Sequence, residues 1–467
     1  MTVFDPKTAL FKRKFALVPY KNLKLSLAEV SLCKDFVTDT MGDPYPRLAA
    51  SADACERVAG NRYHLTKGEV TRHFAQFFPY ATYEMAMTGE GEAGFRFHIP
   101  GADAFVYLSE KTVILQTECL QNKYPFPASD ERTLIVTCRP SAFDIYTKEN
   151  GRARFVTSFD VPAFAESAKE TVFTAGYAAF FARGEVTLLS VSSYIDSGIS
   201  VADLRPIRYE NGEVMTEGGK IFLTASLRME KEAVQGILSW VPGTADFTLT
   251  GVLFYNSGDG VFANDVAASL LYHREEKRWL LWVCSFLHDH VLGYASFAGD
   301  VRWGVNVLDI TLAEGKNGDF LSLWGDEDPD FFYDEKEGRW LFAVCRLDDE
   351  TKEYRYHFYA SSDPFRGYTL IGKGSAGAET GGSFVKIEGE THFLCGNDFT
   401  KRADYRIYTR DGMDTAHFDY PDGGFRGWGT LIPLALGTRT RYFWLTFDRH
   451  NGSDFRWSYG NLYCFEA

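Results

Sequence analysis

The chain has 467 residues, 45% of them hydrophobic and 16% aromatic, and a formal net charge of −14 at pH 7. That length exceeds one ordinary core, so two domains are expected, and the composition is that of a packed globular protein. The acidic balance, with no run of Lys or Arg, excludes nucleic acid as a partner. The opening segment around Phe4 to Lys14 has no apolar core ahead of a small-residue cleavage site and does not read as a secretory signal. No stretch of about eighteen apolar residues offers a membrane span. Of eight cysteines, Cys284, Cys345, Cys395 and Cys464 fall in apolar runs without metal-ligand spacing. They read as buried thiols of a reducing, cytoplasmic compartment.

In chain order, residues 1 to about 70 mix charged and apolar segments, and the alternation from Tyr20 to Leu32 predicts a strand. From Phe95 the alternation strengthens. Strands are predicted at 95–100, 104–108, 111–117, 133–138, 143–147, 179–182 and 186–191. Short strands at this spacing predict an antiparallel β-sandwich over 1–197. The stretch from Ser192 to Val201 is the expected junction with a second domain, 198–467.

That second domain repeats. Apolar strands begin at Lys220, Arg278, Arg339, Thr391 and Tyr442, which are 58, 61, 52 and 51 residues apart. Units of this size, each several short strands with turns between, predict a five-bladed β-propeller. No unit could bury both faces of its own sheet, so neighbours must stack around an axis. Upstream of each apolar strand, where the innermost strand of a blade begins, stand Asp203, Asp265, Asp328, Glu379 and Arg426. The densest of these sites is Gly325-Asp326-Glu327-Asp328-Pro329-Asp330. Pro329 cannot donate a ladder hydrogen bond and belongs at a strand's first residues, which places Asp328 where a strand begins. Taken alone, Asp328 reads first as a turn cap; the repetition of the pattern is what favours a site.

With these residues in view, roughly the last 270 residues resemble the five-bladed propeller glycosidases, the group that holds glycoside hydrolase families 43 and 32. Members carry a catalytic Asp in the first blade, a second Asp in an Asp-Pro motif, and a Glu opening a later blade. Asp203, Asp328-Pro329 and Glu379 match in that order, at intervals of 125 and 51 residues. The Trp-Met-Asn-Asp-Pro-Asn-Gly box of some members is absent, and no Pro follows Asp203 directly. The N-terminal part resembles the jelly-roll modules attached to such enzymes, here placed before the propeller, with a lectin-like or structural role. The resemblance implies an oligosaccharide substrate, a furanoside or related pentoside, and no required cofactor. It also implies a structural calcium as one option, near an axial histidine for which His450 is the candidate.

Glycoside hydrolysis needs two carboxyl groups, one protonated and one ionised. Glu379, among Gly377, Ala378, Gly381 and Gly382, is the expected general acid, and Asp203 the base or nucleophile. Asp328 is expected to keep Glu379 protonated by like-charge repulsion. Asp265, Asp326, Glu327, His288, Arg426, Trp428 and His450 are candidate substrate contacts. Trp303 and Trp324 are either stacking platforms or core. His288-Asp289-His290 carries only a weak metal-ligand spacing. Two other functions stay open: a phosphorylase or transferase with a phosphate clamp of Arg426, Arg439, Arg441 and Arg449, and a non-catalytic glycan-binding protein.

Overall fold

The computed structural model describes residues 4–17, 21, 23–27, 47–50, 55–59, 62–229, 232–262, 266–375, 377–397, 404–409, 412–417, 425–436, 439–448 and 461–467. Over these residues the protein is almost wholly β-strands and turns, with one short α-helix, Glu170–Ala175. The chain divides into two compact units. Residues 1–23, 197–259 and 263–467 form the first, and residues 24–196 with 260–262 form the second.

Five sheets make up the first unit among the described residues. Their opening strands are Ser200–Pro206, Val266–His273, Glu327–Asp334, Glu379–Ile387 and Phe425–Leu436. Each pairs antiparallel with one of the apolar strands read from sequence, here Lys220–Arg228, Arg278–Ser285, Arg339–Leu347, Glu390–Asn397 and Arg439–Asp448. These second strands are continuous apolar runs because both of their faces are covered; in Arg278–Ser285 every residue after the first is buried. Each opening strand packs against the opening strand of the next sheet, and the fifth packs against the first, so the five surround a common axis. Aromatic rings fill the layers between sheets. Trp282 lies 4.7 Å from Phe342, Phe332 lies 5.1 Å from Phe384, and Tyr405 lies 4.5 Å from Trp444.

The fifth sheet is completed by Lys12–Leu17, which pairs with Leu462–Glu466. The first residues of the chain therefore join its C-terminal strands rather than a domain spanning 1–197. Lys12-Arg13-Lys14-Phe15-Ala16-Leu17 has the charged composition of an edge strand, and that composition does not specify which sheet the strand will join.

The second unit holds a seven-stranded and an eight-stranded sheet among the described residues. The first includes Glu92–Ile99, Ala102–Ser109 and Tyr177–Arg183, and the second includes Thr82–Gly89, Arg132–Arg139 and Val186–Asp196. In Glu92–Ile99, Phe95 and Phe97 are buried while Arg96 and His98 are half-buried, the period-two signature of a strand with one core face. Rings from the two sheets meet: Phe97 lies 4.9 Å from Tyr83 and 5.1 Å from Phe143. The strand predicted between Tyr20 and Leu32 appears as Lys24–Ser26, and residues 28–32 lie outside the described residues. Cys138, Cys284, Cys345, Cys395 and Cys464 are buried free thiols, and Cys119 is an exposed one. No helix among the described residues is long and apolar enough to cross a membrane.

Candidate active site

Each of the five opening strands breaks register with its neighbour once. The breaks fall between Ala202 and Arg205, Val266 and Ser269, Glu327 and Asp330, Thr380 and Ser383, and Phe425 and Gly429. In the first four, one residue within the break takes a left-handed backbone: Asp203, Ala267, Asp328 and Gly381, with φ between +50° and +61°. A bulge adds an unpaired residue and re-aims its side chain. Asp tolerates this conformation better than most residues with a Cβ. The structurally equivalent set is thus Asp203, Ala267, Asp328 and Gly381. It differs from the expected set, in which Asp265 and Glu379 stood in register with Asp203 and Asp328. Asp265 and Glu379 lie two residues ahead of the bulge residue, in step with Asp326. Repeat spacing alone does not reveal a bulge, so the phase read from the sequence was off by two.

The bulges bring Asp203 and Asp328 into electrostatic reach of each other. The Asp203 side chain is 5% exposed and accepts a hydrogen bond from Arg228 Nη2 at 3.1 Å. Asp328 Oδ2 accepts from Thr380 Oγ1 at 3.0 Å and from the Gly381 N–H at 2.9 Å, both on the neighbouring sheet. Burial first, and then the Asp203 carboxylate, push the Asp328 carboxyl up to about 6. Arg205 opposes that rise and Glu327 adds to it. Asp203 also lines an axial cavity with Arg205, Gly381, Ser383, Thr430 and Phe447. Its volume is about 10 Å³, room for about one water molecule.

Glu379 opens the fourth sheet and is fully buried. Its Oε2 accepts from the Tyr356 N–H at 2.8 Å; its Oε1 accepts from the Tyr408 hydroxyl and lies 3.4 Å from Arg406 Nη1. Gly374 leaves it room, since a Cβ there would fall 2.0 Å from Oε2. Burial raises the Glu379 pKa, against the Tyr408, Tyr356 and Arg406 contacts, which lower it. The expected cause, repulsion from Asp328, is therefore replaced by desolvation. The like-charge repulsion acts between Asp203 and Asp328 instead.

The other candidates separate clearly. Asp326 is fully buried and saturated: Arg346 donates through Nε at 2.7 Å and Nη2 at 2.6 Å, Ser322 Oγ at 3.0 Å and the Leu323 N–H at 2.8 Å. It is a structural ion pair rather than a sugar ligand. His288 is likewise engaged, Nδ1 with Ser285 Oγ at 2.8 Å and Nε2 with Ser257 Oγ at 3.2 Å and Asp259 at 3.3 Å. It holds its own loop, so the expected substrate contact is not free there. Glu327 remains about a third exposed and meets His290 Nδ1 at 2.9 Å. Trp324 and Trp303 are 70% and 53% exposed, so neither is core. Asp265, Arg449 and His450 lie outside the described residues. Arg426 and Trp428 lie on the backbone of Phe425–Leu436. Arg439 and Arg441 stand at the hairpin end of the fifth sheet, away from its bulge, so they do not contribute a phosphate clamp beside the carboxylates.

Sequence reasoning missed the basic partners Arg205, Arg228 and Arg406 and the hydroxyl of Tyr408. Arg205 was within sight, two residues after Asp203, and the other three reach the carboxylates only through strand pairing.

No family model matches the chain, and no curated protein matches it in sequence. Among solved structures, the chain resembles family 43 glycoside hydrolases. One is a family 43 β-1,3-galactosidase with galactodeoxynojirimycin, 10% identical over 56% of this chain and 90% of that one, TM-score 0.37. Another is an α-L-arabinanase from Penicillium chrysogenum with arabinobiose, 9% identical over 72% and 89%, TM-score 0.35. A carbohydrate-binding module from Bacillus subtilis is 12% identical over 32% and 94%, TM-score 0.24. Every one of these TM-scores is below 0.5, and none bears on substrate or mechanism.

Proposed function

We propose that the protein is a cytoplasmic glycoside hydrolase acting on oligosaccharides, furanosides or related pentosides, with a five-bladed propeller as its catalytic unit and a β-sandwich beside it in sequence. The observation that carries this reading is the pair of buried carboxyls, Asp203 and Asp328, at equal bulge positions of two sheets facing one axis, one of them with its pKa raised to about 6. Perturbed carboxyls grouped in this way are the usual tools of acid–base chemistry. Glu379, raised by burial, is the general acid that protonates the departing oxygen. Asp203 is the base or nucleophile, and Asp328 sets the charge of the pair. A screen of aryl glycosides, arabinofuranosides and fructosides tests the reading, with Asp203→Asn, Asp328→Asn and Glu379→Gln as controls. Turnover by the wild type and loss in each variant supports it.

A second reading has its own support. Both oxygens of Glu379 are engaged within the protein, and the axial cavity has room for about one water rather than a sugar ring. A glycan-binding protein without catalysis fits that closed arrangement. Saturable binding on a glycan panel with no turnover of any substrate decides for it.

A further inference from the structure

A structural calcium on the axis is the metal that the resemblance brings with it, and the described residues do not fit one. Among the described residues, no group of three or more His, Cys, Asp and Glu side chains is gathered closely enough to hold a metal ion. Two carbonyl oxygens on neighbouring opening strands are already taken by a side chain. Arg205, buried at 4% exposure, donates through Nη1 to the Ala267 carbonyl at 3.3 Å and to the Pro329 carbonyl. Ala267 is the left-handed residue of the second bulge, and Pro329 follows Asp328, the left-handed residue of the third. Arg205 itself closes the first bulge, two residues after Asp203.

We propose that the Arg205 guanidinium is the axial cation of this fold, doing in place of a metal ion the work of locking together the three bulges that carry Asp203, Ala267 and Asp328. Charge supports this assignment. The side chains of Asp203, Asp328 and Asp330 on the opening strands are balanced by Arg205, Arg208 and Arg228, and all six are buried. Arg228 donates to Asp203, and Arg208 donates to Asp330. Asp330 also accepts from Ser269 Oγ and from the Phe384 N–H at 2.6 Å. A divalent ion would add two charges to a set that already sums to zero, at a place where desolvation makes imbalance expensive. Backbone carbonyls are hard oxygen ligands suited to calcium, and here a planar guanidinium with fixed donors takes them up. The axial cavity beside Arg205 is too small for a hydrated ion.

Arg205 is thereby a positioning residue, holding the backbone from which Asp203 and Asp328 project. Its charge also faces Asp328 alongside Asp203, Glu327, Cys345 and Tyr356.

The decisive measurement is thermal unfolding of the full chain with EDTA and with millimolar calcium chloride, an outcome independent of whatever reaction the site performs. The expected result is a wild-type midpoint that does not move between the two. A midpoint that falls with EDTA and recovers with calcium overturns the proposal. Arg205→Ala should unfold several degrees earlier and, with the Ala267 and Pro329 carbonyls vacated, should gain a calcium response the wild type lacks. Where that variant does not fold, the wild-type comparison alone decides. A readout that mere packing would not move is the Asp328 titration, followed by carbon NMR of the side-chain carboxyl. Arg205→Met should raise that pKa by about 1 to 3 units, the usual effect of a neighbouring opposite charge, and Arg205→Lys should restore it. An Arg205→Met protein with wild-type midpoint and wild-type Asp328 titration also overturns the proposal.

Discussion

Asp203 and Asp328 stand 125 residues apart in the chain and occupy the same step of the same backbone irregularity, with φ of +52° and +50°. A bulge residue is unpaired in its ladder, so its side chain is free to turn from the sheet face toward the axis. Two sheets that each do this place two carboxyls together, and burial, followed by the Asp203 charge, raises the pKa of Asp328. Asp203 has a guanidinium donor in Arg228, whereas Asp328 accepts only from the neutral donors Thr380 and Gly381 among the hydrogen bonds described for it.

The first prediction is a pH-dependent gain of stability on removing that charge. A carboxyl with its folded pKa raised stabilises the fold fully below its unfolded pKa, near 4, and loses that contribution as pH rises through about 6. Asp328→Asn keeps the shape and an acceptor for Gly381 but never ionises. It should match the wild type at pH 4 and exceed it at pH 8, by about 3 kcal/mol at most. Urea unfolding at the two pH values reads this directly. A variant less stable than the wild type at pH 8 contradicts the raised pKa.

How much of this was legible in the sequence depends on the kind of contact. The second strands were legible because both of their faces are buried, and a continuous apolar run such as Trp279-Leu280-Leu281-Trp282-Val283-Cys284 needs no partner to be recognised. The alternation over 95–191 was legible for the complementary reason, one face in the core and one out. Asp203, Asp328 and Glu379 could be picked out as carboxylates at strand starts. Their mutual phase could not, because repeat spacing does not show where along a strand the bulge falls, as Ala267 shows by sharing the conformation of Asp203. The partners were hidden for another reason. Arg346 and Arg406 reach Asp326 and Glu379 across strands, and only the pairing brings them together. Lys12–Leu17 joins Leu462–Glu466 from the far end of the chain, a contact no local pattern encodes.

A second prediction concerns Asp326, which the structure makes a scaffold. Its carboxylate forms a bidentate pair with Arg346 in a buried setting, and removing one member strands the other charge. Asp326→Ala should lose about 3–5 kcal/mol of stability. With an active substrate in hand, the folded fraction should retain its KM. A raised KM at unchanged stability instead returns Asp326 to the substrate.

The third prediction separates the acid from its neighbours by leaving group. Protonation of the departing oxygen matters most when that oxygen leaves poorly. Glu379→Gln should cripple hydrolysis of an oligosaccharide while sparing an aryl glycoside, the two diverging by about 10²- to 10⁴-fold. Asp203→Asn should damage both substrates alike, since it disables attack whatever leaves. An equal loss on both substrates in Glu379→Gln, with the divergence appearing in Asp328→Asn, transfers the acid role to Asp328.

The last prediction uses the Tyr408 hydroxyl, which donates to Glu379 Oε1. A hydrogen bond to the ionised carboxylate favours it, so Tyr408 holds the Glu379 pKa down while burial raises it. Tyr408→Phe removes that bond and keeps the ring that packs 5.7 Å from Phe358. Burial then acts with less opposition, and Glu379 keeps its proton to higher pH. A general acid that keeps its proton extends activity in the same direction. The alkaline limb of the kcat/KM profile should therefore move up, by about 1 to 2 units for a bond to a charged group worth about 1.5–3 kcal/mol. The acidic limb should stay where it is. The opposite pattern, a fixed alkaline limb with a displaced acidic one, places Tyr408 under the pair and removes Glu379 from the role of acid.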